Sequence, residues 1–275
     1  MAEHALIDCR RRANGIAVLT LDNPPLNLNT LVTLDRLMAA CRSLAADARV
    51  HVVVVTGAGE RAFCAGSDIG EFAAVRQDIV ARKLARENAA FTALEELPIP
   101  VIAALNGVTL GGGAEIALAC DIRIMDETAH IGFPEVKLGV FPGSGGVFRL
   151  PRLIGPGRAY ELLYTGDIID AREAHRIGLV NRLAPAGTAL AAALALAETL
   201  AARPALALSL IRAGVRDSLG QTTAEATART LADSHTVFTG PDIEEGIAAF
   251  LAKRPPVFTA SRTVMPSPDN EEQRS

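Results

Sequence analysis

Three consecutive glycines and a glutamate lie at the predicted start of a helix. The segment 106–115 contains Gly111, Gly112 and Gly113, ends at Glu115 and leads directly into an apolar stretch. Glycines let a ligand approach the backbone closely, and the free N–H groups of a first helical turn stabilise an anion. Glu115 lies three residues after Gly112, so both occupy nearly the same helix face. The segment predicts an anion site beside a carboxylate, against two structural alternatives: tight packing of the glycines and a solvated first-turn Glu115.

A second carboxylate stands among apolar residues. Glu135 follows Pro134 and lies next to Phe133 and Val136. A carboxyl group held in such surroundings is a candidate for proton transfer. The structural alternative is a glutamate that begins a helix after a proline. Together with Glu115, Glu135 predicts a pair of carboxylates that share proton transfer.

Another glycine-bearing loop, at residues 56–69, contains a weak dinucleotide-binding fingerprint. Gly57, Gly59 and Ala62 follow a predicted strand with the fingerprint spacing. The residues after them continue extended before any helix begins, whereas a pyrophosphate site requires an immediate helix N-terminus. The sequence therefore disfavours a nicotinamide cofactor.

Single nucleophiles and metal ligands are disfavoured by their context. Ser144 lies in Pro142-Gly-Ser-Gly-Gly146, which lacks the first glycine of a nucleophile elbow. Cys64 is interpreted as a small buried thiol rather than a nucleophile. The five histidines have no ligand spacing, so the sequence predicts no metal site.

The elements that must position these loops follow an alternating pattern. Strands are predicted for β-branched or apolar runs at residues 16–21, 50–56, 101–105 and 122–125. Helices are predicted between them, at residues 30–48, at about 70–97 and from about 111. Such alternation is typical of an α/β fold with parallel strands.

The C-terminal part changes character, because no strand is predicted after about residue 185. Helices are predicted there at residues 186–202, 206–219, 222–237 and 243–251. We divide the chain into a core that holds the candidate site (1–195), a helical C-terminal unit (196–260) and a polar tail (261–275).

Composition excludes several classes of protein. The 275 residues, with 49% hydrophobic and 21% charged, suit a folded globular chain. A net charge of −4 and 4% aromatic residues without Trp disfavour nucleic acid as a partner. Four separated cysteines and no secretory signal favour the cytoplasm. The apolar run at 189–197 is too short to span a membrane, so no membrane partner is expected.

Four motifs occur in order through the core: Phe63-Cys-Ala-Gly-Ser-Asp-Ile69, Asn106-Gly-(x)3-Gly-Gly-Gly-Ala-Glu115, Phe133-Pro-Glu-(x)3-Gly139 and Pro142-Gly-x-Gly-Gly146. Five shorter ones follow: Thr165-Gly-Asp167, Ala171-x-x-Ala174, Gly178-Leu-Val180, Asp242-x-x-Glu-Gly246 and Lys253-Arg-Pro255. The ordered set resembles the crotonase (enoyl-CoA hydratase/isomerase) superfamily, and within it the enoyl-CoA hydratases. It covers roughly residues 15–260.

The resemblance implies a ββα spiral with a C-terminal α-helical oligomerisation unit, and an enzyme that acts on an acyl-CoA thioester. The implied reaction is hydration of a 2-enoyl-CoA to a 3-hydroxyacyl-CoA. Backbone N–H groups of Ser67 and Gly112 would form an oxyanion hole, Glu115 would activate water and Glu135 would deliver a proton to Cα. The other implied substrate-binding residues are Ala65, Asp68, Ile69, Gly111, Pro134 and Gly143. Coenzyme A enters as part of the substrate, so no separate cofactor is expected.

Two alternatives stay open. The paired glutamates favour hydration, yet an enoyl-CoA isomerase or another crotonase-type lyase or decarboxylase uses the same scaffold. A non-catalytic acyl-CoA-binding or RNA-binding relative is the remote alternative, which the net charge disfavours. The resemblance also implies a homotrimer or a dimer of trimers. Apolar residues of the last helix support this expectation, namely Ile243, Ile247, Phe250 and Leu251.

The sequence departs from the family where cations hold the CoA phosphates. Gly70 stands where hydratases commonly carry one lysine, and Pro24-Pro25-Leu26 stands where they carry another. Arg61, Lys253 or Arg254 could supply the missing charge. The acyl pocket wall is expected in residues 72–91, and the sequence does not predict the acyl chain length.

Overall fold

The computed structural model describes residues 6–259, and in this part of the chain it contains ten strands and eleven α-helices. The strands are β1 (Leu6–Arg11), β2 (Ile16–Asp22), β3 (Val52–Gly57), β4 (Ala62–Cys64), β5 (Val101–Leu105), β6 (Val108–Leu110), β7 (Ile122–Asp126), β8 (His130–Gly132), β9 (Ile168–Asp170) and β10 (Arg182–Ala184). The helices are α1 (Leu31–Ala46), α2 (Ile69–Val75), α3 (Ala85–Glu95), α4 (Gly112–Leu118), α5 (Gly146–Ile154), α6 (Pro156–Thr165), α7 (Ala171–Arg176), α8 (Ala189–Ala201), α9 (Ala205–Ser218), α10 (Thr223–Phe238) and α11 (Pro241–Leu251). Short 3₁₀ segments lie at Arg76–Asp78 and Pro134–Leu138, and a π segment lies at Val80–Leu84.

The strands form two sheets that the chain visits in turn. The larger sheet has the order β1-β2-β3-β5-β7-β10 and is parallel except for β1, which pairs antiparallel with β2. The smaller has the order β4-β6-β8-β9, with β9 antiparallel to β8. Each of β3, β5 and β7 is followed by β4, β6 or β8 of the other sheet and then by helical residues. This repeat of two strands and a helical segment confirms the predicted α/β spiral.

Both faces of the larger sheet are covered, which explains its nearly continuous apolar strands. Val53 and Val55 of β3 lie in the main core cluster with residues of α1 and α3. Val52 and Val54 point to the opposite face, as the period of two along a strand requires. There they share a second cluster with α8, whose small alanines allow close approach to the sheet. The sheet is thus a rigid, buried base for the loops that leave it.

The helix α1 begins where its sequence predicts. The Thr30 side chain accepts a hydrogen bond from the Thr33 N–H, and the Thr33 hydroxyl accepts one from the Thr30 N–H. Capping of this kind satisfies backbone donors that a helix start leaves free. The buried residues of the helix include Leu34, Leu37 and Leu44, spaced as an amphipathic stripe.

The predicted single helix at about 70–97 is wrong in one respect. The structure divides it into α2, a 3₁₀ turn, a π turn and α3. Charged and small residues alternate through this stretch without a continuous apolar stripe, so the pattern contains no signal for the breaks. The smaller sheet was not predicted either, because its strands have only three residues each, too few for a visible period of two.

The predicted C-terminal helices are present as α8 to α11, with bounds close to those predicted. Arg212 of α9 connects them to the rest of the chain by an ion pair with Asp121 at 2.8 Å and a hydrogen bond to the Leu97 carbonyl. The predicted boundary at residue 195 falls inside α8, which packs on the larger sheet, and the division into units stays a prediction. The predicted polar tail at 261–275 lies outside the described residues.

Within residues 6–259, no single helix is both long and apolar enough to cross a membrane. The pair α8 and α9 passes that test only when taken together, and the two are bent by 111°.

Candidate active site

Three loops converge because three neighbouring strands of the smaller sheet run in parallel. Ser67 follows β4, Gly112 follows β6, and Glu135 follows β8. The pairs β4 with β6 and β6 with β8 are both parallel, so the three loops leave the same edge of the sheet. The carboxyl edge of parallel strands is where α/β proteins commonly build sites. The sheet therefore brings together residues that are up to 68 positions apart in the chain.

The backbones of Ser67 and Gly112 approach closely. Asn29 pairs with both neighbours of Ser67, donating to the Gly66 carbonyl at 2.9 Å and accepting from the Asp68 N–H at 3.0 Å. In this bridge the Ser67 N–H points away from Asn29. A Cβ on Gly112 would lie 3.6 Å from the Ser67 nitrogen. Among the described residues neither the Ser67 nor the Gly112 N–H donates a hydrogen bond, so both can donate to a ligand.

Gly111 and Gly113 are glycines for different physical reasons. Gly113 is a packing glycine, since a Cβ there would lie 2.0 Å from the Cys64 carbonyl oxygen. Gly111 has φ +51°, a conformation that other residues adopt at a cost, and a Cβ there would lie 3.2 Å from Glu135 Oε1. The tight-packing interpretation therefore holds for Gly113, while Gly111 leaves room for a catalytic candidate.

Glu115 is buried at 3% exposure, so the interpretation as a solvated first-turn carboxylate is wrong. Its Oε1 accepts two backbone hydrogen bonds, from Ser144 at 2.9 Å and from Gly146 at 2.8 Å. Burial is the main cause that raises the pKa of Glu115 to about 8. The charge of Glu135 acts in the same direction, and the two N–H donors oppose it. The result is a carboxylate that is held in place and can bind a proton near neutral pH.

Glu135 lies on the 3₁₀ turn after β8. Its apolar surroundings are only partly as predicted: Phe133 is fully buried, whereas Val136 and Leu138 are exposed. Burial raises the pKa of Glu135 to about 7, with a smaller contribution from the charge of Glu87. Its Oε2 is buried without a partner among the described residues. An unpaired buried oxygen is costly and is expected where a ligand completes the site.

A third carboxylate, that of Glu87 in α3, is buried and also faces the site, and the sequence analysis missed it. Glu87 accepts hydrogen bonds from the hydroxyls of Ser67 and Ser144. Lys83, which is fully buried, lies 4.0 Å from Glu87 and 2.7 Å from Glu71. One signal was available: Glu87 lies on the same helix stripe as Ala90 and Leu94, and charged residues on an apolar stripe must be paired.

Comparison with known proteins decides the family. Residues 11–261 match the family model described as enoyl-CoA hydratase/isomerase. This chain belongs to the enoyl-CoA hydratase/isomerase family. Similar proteins are a crotonyl-CoA hydratase of Syntrophomonas wolfei (40% identical, covering 87% of this chain and 92% of the relative) and a short-chain-enoyl-CoA hydratase of Clostridium acetobutylicum (38%, 87% and 92%). The crystal structure of an enoyl-CoA hydratase from Bacillus anthracis superposes with a TM-score of 0.89 at 36% identity, covering 92% of this chain and 98% of that one. The predicted superfamily, and with it the prediction of an enzyme, are confirmed.

The other residues that the resemblance assigned to substrate binding in this hydratase/isomerase family member lie in the same loops, and their roles stay predictions. Asp68 caps α2 by accepting from the Gly70 N–H at 2.8 Å, and Ile69 is exposed beside it. Ala65 donates its N–H to the Leu26 carbonyl. Pro134 begins the 3₁₀ turn of Glu135, and the Gly143 carbonyl accepts from Asn88 at 3.0 Å.

The rejected nucleophiles have structural partners. Cys64 is fully buried, which raises its pKa to about 12 and keeps it a thiol. Ser144 is buried, with its hydroxyl directed to Glu87 and its N–H to Glu115. The residues at 6–259 include no group of three or more His, Cys, Asp or Glu that could hold a metal ion. Of the candidate phosphate-binding cations, Arg254 is already paired with Glu245 at 2.6 Å.

Proposed function

We propose that this protein hydrates 2-enoyl-CoA thioesters to 3-hydroxyacyl-CoA. One observation carries the proposal: two carboxylates with raised pKa values, the buried Glu115 and the partly buried Glu135, lie beside two backbone N–H groups with no partner among the described residues. Acyl-CoA thioesters, and hydration in particular, are named for the similar proteins of S. wolfei and C. acetobutylicum.

The N–H groups of Ser67 and Gly112 stabilise the charge that develops during the reaction. Attack of water at Cβ of an α,β-unsaturated thioester moves an electron pair onto the carbonyl oxygen, which becomes an enolate. Two preoriented donors at this oxygen act most strongly on the enolate, and each contributes on the order of 3 kcal/mol in comparable sites. The start of α4 adds the favourable end of its peptide dipoles.

Glu115 activates the water. Its Oε1 is occupied by the N–H groups of Ser144 and Gly146, so Oε2 is the oxygen that accepts the water proton. The raised pKa makes the ionised form a stronger base than an ordinary carboxylate. The water oxygen forms the bond to Cβ as its proton moves to Glu115.

Glu135 supplies the proton that Cα requires. Its raised pKa keeps a substantial protonated fraction at neutral pH, which an ordinary glutamate lacks. Because the negative charges of Glu115 and Glu135 repel each other, a state in which the pair holds one proton is favoured near neutrality. Addition of OH to Cβ and H to Cα leaves Glu115 protonated and Glu135 ionised, and return of a proton from Glu115 to Glu135 restores the starting state.

A steady-state assay with crotonyl-CoA tests the proposal. We expect loss of the conjugated enoyl absorbance and formation of 3-hydroxybutyryl-CoA, identified by chromatography. Glu115→Gln and Glu135→Gln should each lower the rate by about 10²- to 10⁴-fold. If both variants hydrate at the parent rate, the mechanism is wrong.

Isomerisation is the second candidate, favoured by the same carboxylate pair and by the description of the family. A proton removed from one carbon of a 3-enoyl-CoA and returned to another needs the same enolate, but no water. Product analysis with a 3-enoyl-CoA separates the two: an isomerase yields only the 2-enoyl-CoA, and a hydratase without isomerase activity leaves the compound unchanged.

The family resemblance and the exposed apolar residues of the C-terminal unit support a homotrimer or a dimer of trimers. Phe250 is 82% exposed, Leu251 75% and Phe238 70%. Such residues commonly become buried between subunits. Light scattering after size-exclusion chromatography should give a trimer or hexamer, and Phe250→Asp should shift it towards the monomer. A monomeric parent protein would contradict the assembly. The cytoplasmic location stays a prediction.

A further inference from the structure

We propose that Glu87 is a positioning residue, whose buried carboxylate ties the loop of the Ser67 N–H donor to the loop that holds Glu115. The inference rests on the proposed hydration reaction. It adds a residue on α3 to a site otherwise built from the loops after β4, β6 and β8.

Glu87 joins the two loops with both of its carboxylate oxygens. One carboxylate oxygen of Glu87, Oε1, accepts from the Ser67 hydroxyl, and the other, Oε2, accepts from the Ser144 hydroxyl at 2.6 Å. The same two serines provide backbone N–H groups to the site: Ser144 donates to Glu115 at 2.9 Å, and the Ser67 N–H is a proposed oxyanion donor. A single side chain therefore sets the spacing between the oxyanion donor and the water-activating carboxylate.

Glu87 is itself fixed. It is 2% exposed, and Lys83, one helical turn earlier, places its ammonium 4.0 Å from Oε1. That ammonium also bonds Glu71 at 2.7 Å and the Asn29 carbonyl at 3.1 Å. Asn29 pairs with the backbone on both sides of Ser67, so the same network supports the oxyanion loop from behind. Buried charged hydrogen bonds of this kind are strong and hold one geometry.

The tie matters for rate because reacting groups must be placed to a fraction of an ångström. Displacement of such a group by about 1 Å can cost on the order of 100-fold. Neither Ser67 nor Ser144 loses its N–H when Glu87 is removed, so the donors remain but their spacing is no longer set. We therefore expect kcat to fall and KM to change little, since the loss concerns the transition state.

The experiment compares Glu87→Ala, Glu87→Gln and the double variant S67A/S144A in hydration of crotonyl-CoA. Glu87→Ala removes both contacts and should lower kcat by about 10- to 100-fold with KM within about threefold. Glu87→Gln can still bond both serines and should recover most of this loss. S67A/S144A removes both hydrogen bonds to Glu87 and keeps the buried charges of Glu87 and Lys83. Its kcat therefore tests the proposal even if Glu87→Ala does not fold.

A double-mutant cycle separates positioning from general destabilisation. If Glu87 acts through the two serines, adding Glu87→Ala to S67A/S144A should change kcat by less than about twofold. The control Glu96→Gln, an exposed carboxylate at the end of α3, should leave kcat and KM unchanged. If the fold-losses in kcat of the two changes instead multiply, or if S67A/S144A keeps the parent kcat, the proposal is overturned.

The pH profile is a second readout that a purely structural role would not move. Charged or titratable groups that interact with Glu87 are Lys83, Cys64, Glu115 and Glu135, and its charge raises the pKa of both site glutamates. Glu87→Gln should therefore shift both limbs of the pH dependence of kcat/KM to lower pH, whereas an unchanged profile contradicts a carboxylate that faces the site.

Absence of hydration by the unmodified protein would instead refute the proposed function, so the two failures are distinguishable.

Discussion

Replacement of Glu115 by Gln should abolish most hydration activity and at the same time stabilise the fold at neutral and alkaline pH. The Gln side chain keeps an oxygen for the N–H groups of Ser144 and Gly146, which bond Oε1 in the parent protein. It cannot accept the water proton, so we expect a rate loss of about 10²- to 10⁴-fold. It also carries no charge, which removes the cost of burying an ionised carboxyl group.

The size and sign of the stability change follow from the pKa. Burial raises the pKa of Glu115 from 4.5 to about 8, so the folded protein holds the proton more tightly than the unfolded chain. The parent protein therefore loses stability as the pH rises from about 4.5 to about 8, and below this window the group costs nothing. At 1.36 kcal/mol per pKa unit, the full effect is roughly 4 to 5 kcal/mol as an upper bound. At pH 5 the difference between variant and parent should be below about 1 kcal/mol.

Urea unfolding at pH 5, 7 and 9 measures this difference. Far-UV circular dichroism is the suitable signal, since the chain has no Trp for fluorescence. Protein concentration is held constant because subunit association adds to apparent stability. The control Glu198→Gln, an exposed residue of α8, should keep both the rate and the pH dependence of the parent protein. A stability difference that does not grow from pH 5 to pH 9, or a variant that hydrates at the parent rate, refutes the reasoning.

Three further predictions follow from individual contacts. Glu135→Gln should lower kcat/KM and remove the decline in activity as the pH rises through about 7, measured as a pH–rate profile. Gly113→Ala should cost at least about 1 to 3 kcal/mol, because its Cβ would lie 2.0 Å from the Cys64 carbonyl oxygen. Gly157→Ala, with no atom within 4 Å, should instead stabilise by about 0.4 to 1 kcal/mol, and equal melting temperatures for the two variants would contradict this. Asp126→Ala should lower the free energy of unfolding by about 1 to 3 kcal/mol, because its Oδ1 accepts two backbone N–H groups at the start of α8. Chemical denaturation measures this change, and an unaltered midpoint would contradict the role of that buried carboxylate.

Local patterns predicted the elements whose signal is local. The long strands β2, β3 and β5 were predicted from apolar, largely β-branched runs. The helix α1 was predicted from apolar residues that recur every three or four positions. The strands of the smaller sheet were not, because three residues carry no period and their partners are distant in sequence. The breaks between α2 and α3 also escaped prediction, since they depend on packing rather than on propensity.

Candidate site residues were predicted where a residue type is unusual among its neighbours in the sequence. Three adjacent glycines and a glutamate after an apolar Phe-Pro step are visible in one dimension, and the order of the motifs indicated the family that the comparisons confirmed. Glu87 and Lys83 escaped because charged residues are usually exposed, and no sequence window shows which charge lies across from which loop.

The sequence by itself determined which groups this protein has for chemistry: two glutamates, glycines that leave backbone N–H groups accessible, and a run of motifs that marks an enoyl-CoA hydratase/isomerase family member. Only the tertiary structure decided their properties. The parallel order of β4, β6 and β8 brings the three loops to one edge, burial raises the pKa values of Glu115 and Glu135, and Glu87 joins two of the loops. Burial and electrostatic coupling depend on neighbours that are distant in the chain, and so they exist only once the fold has formed.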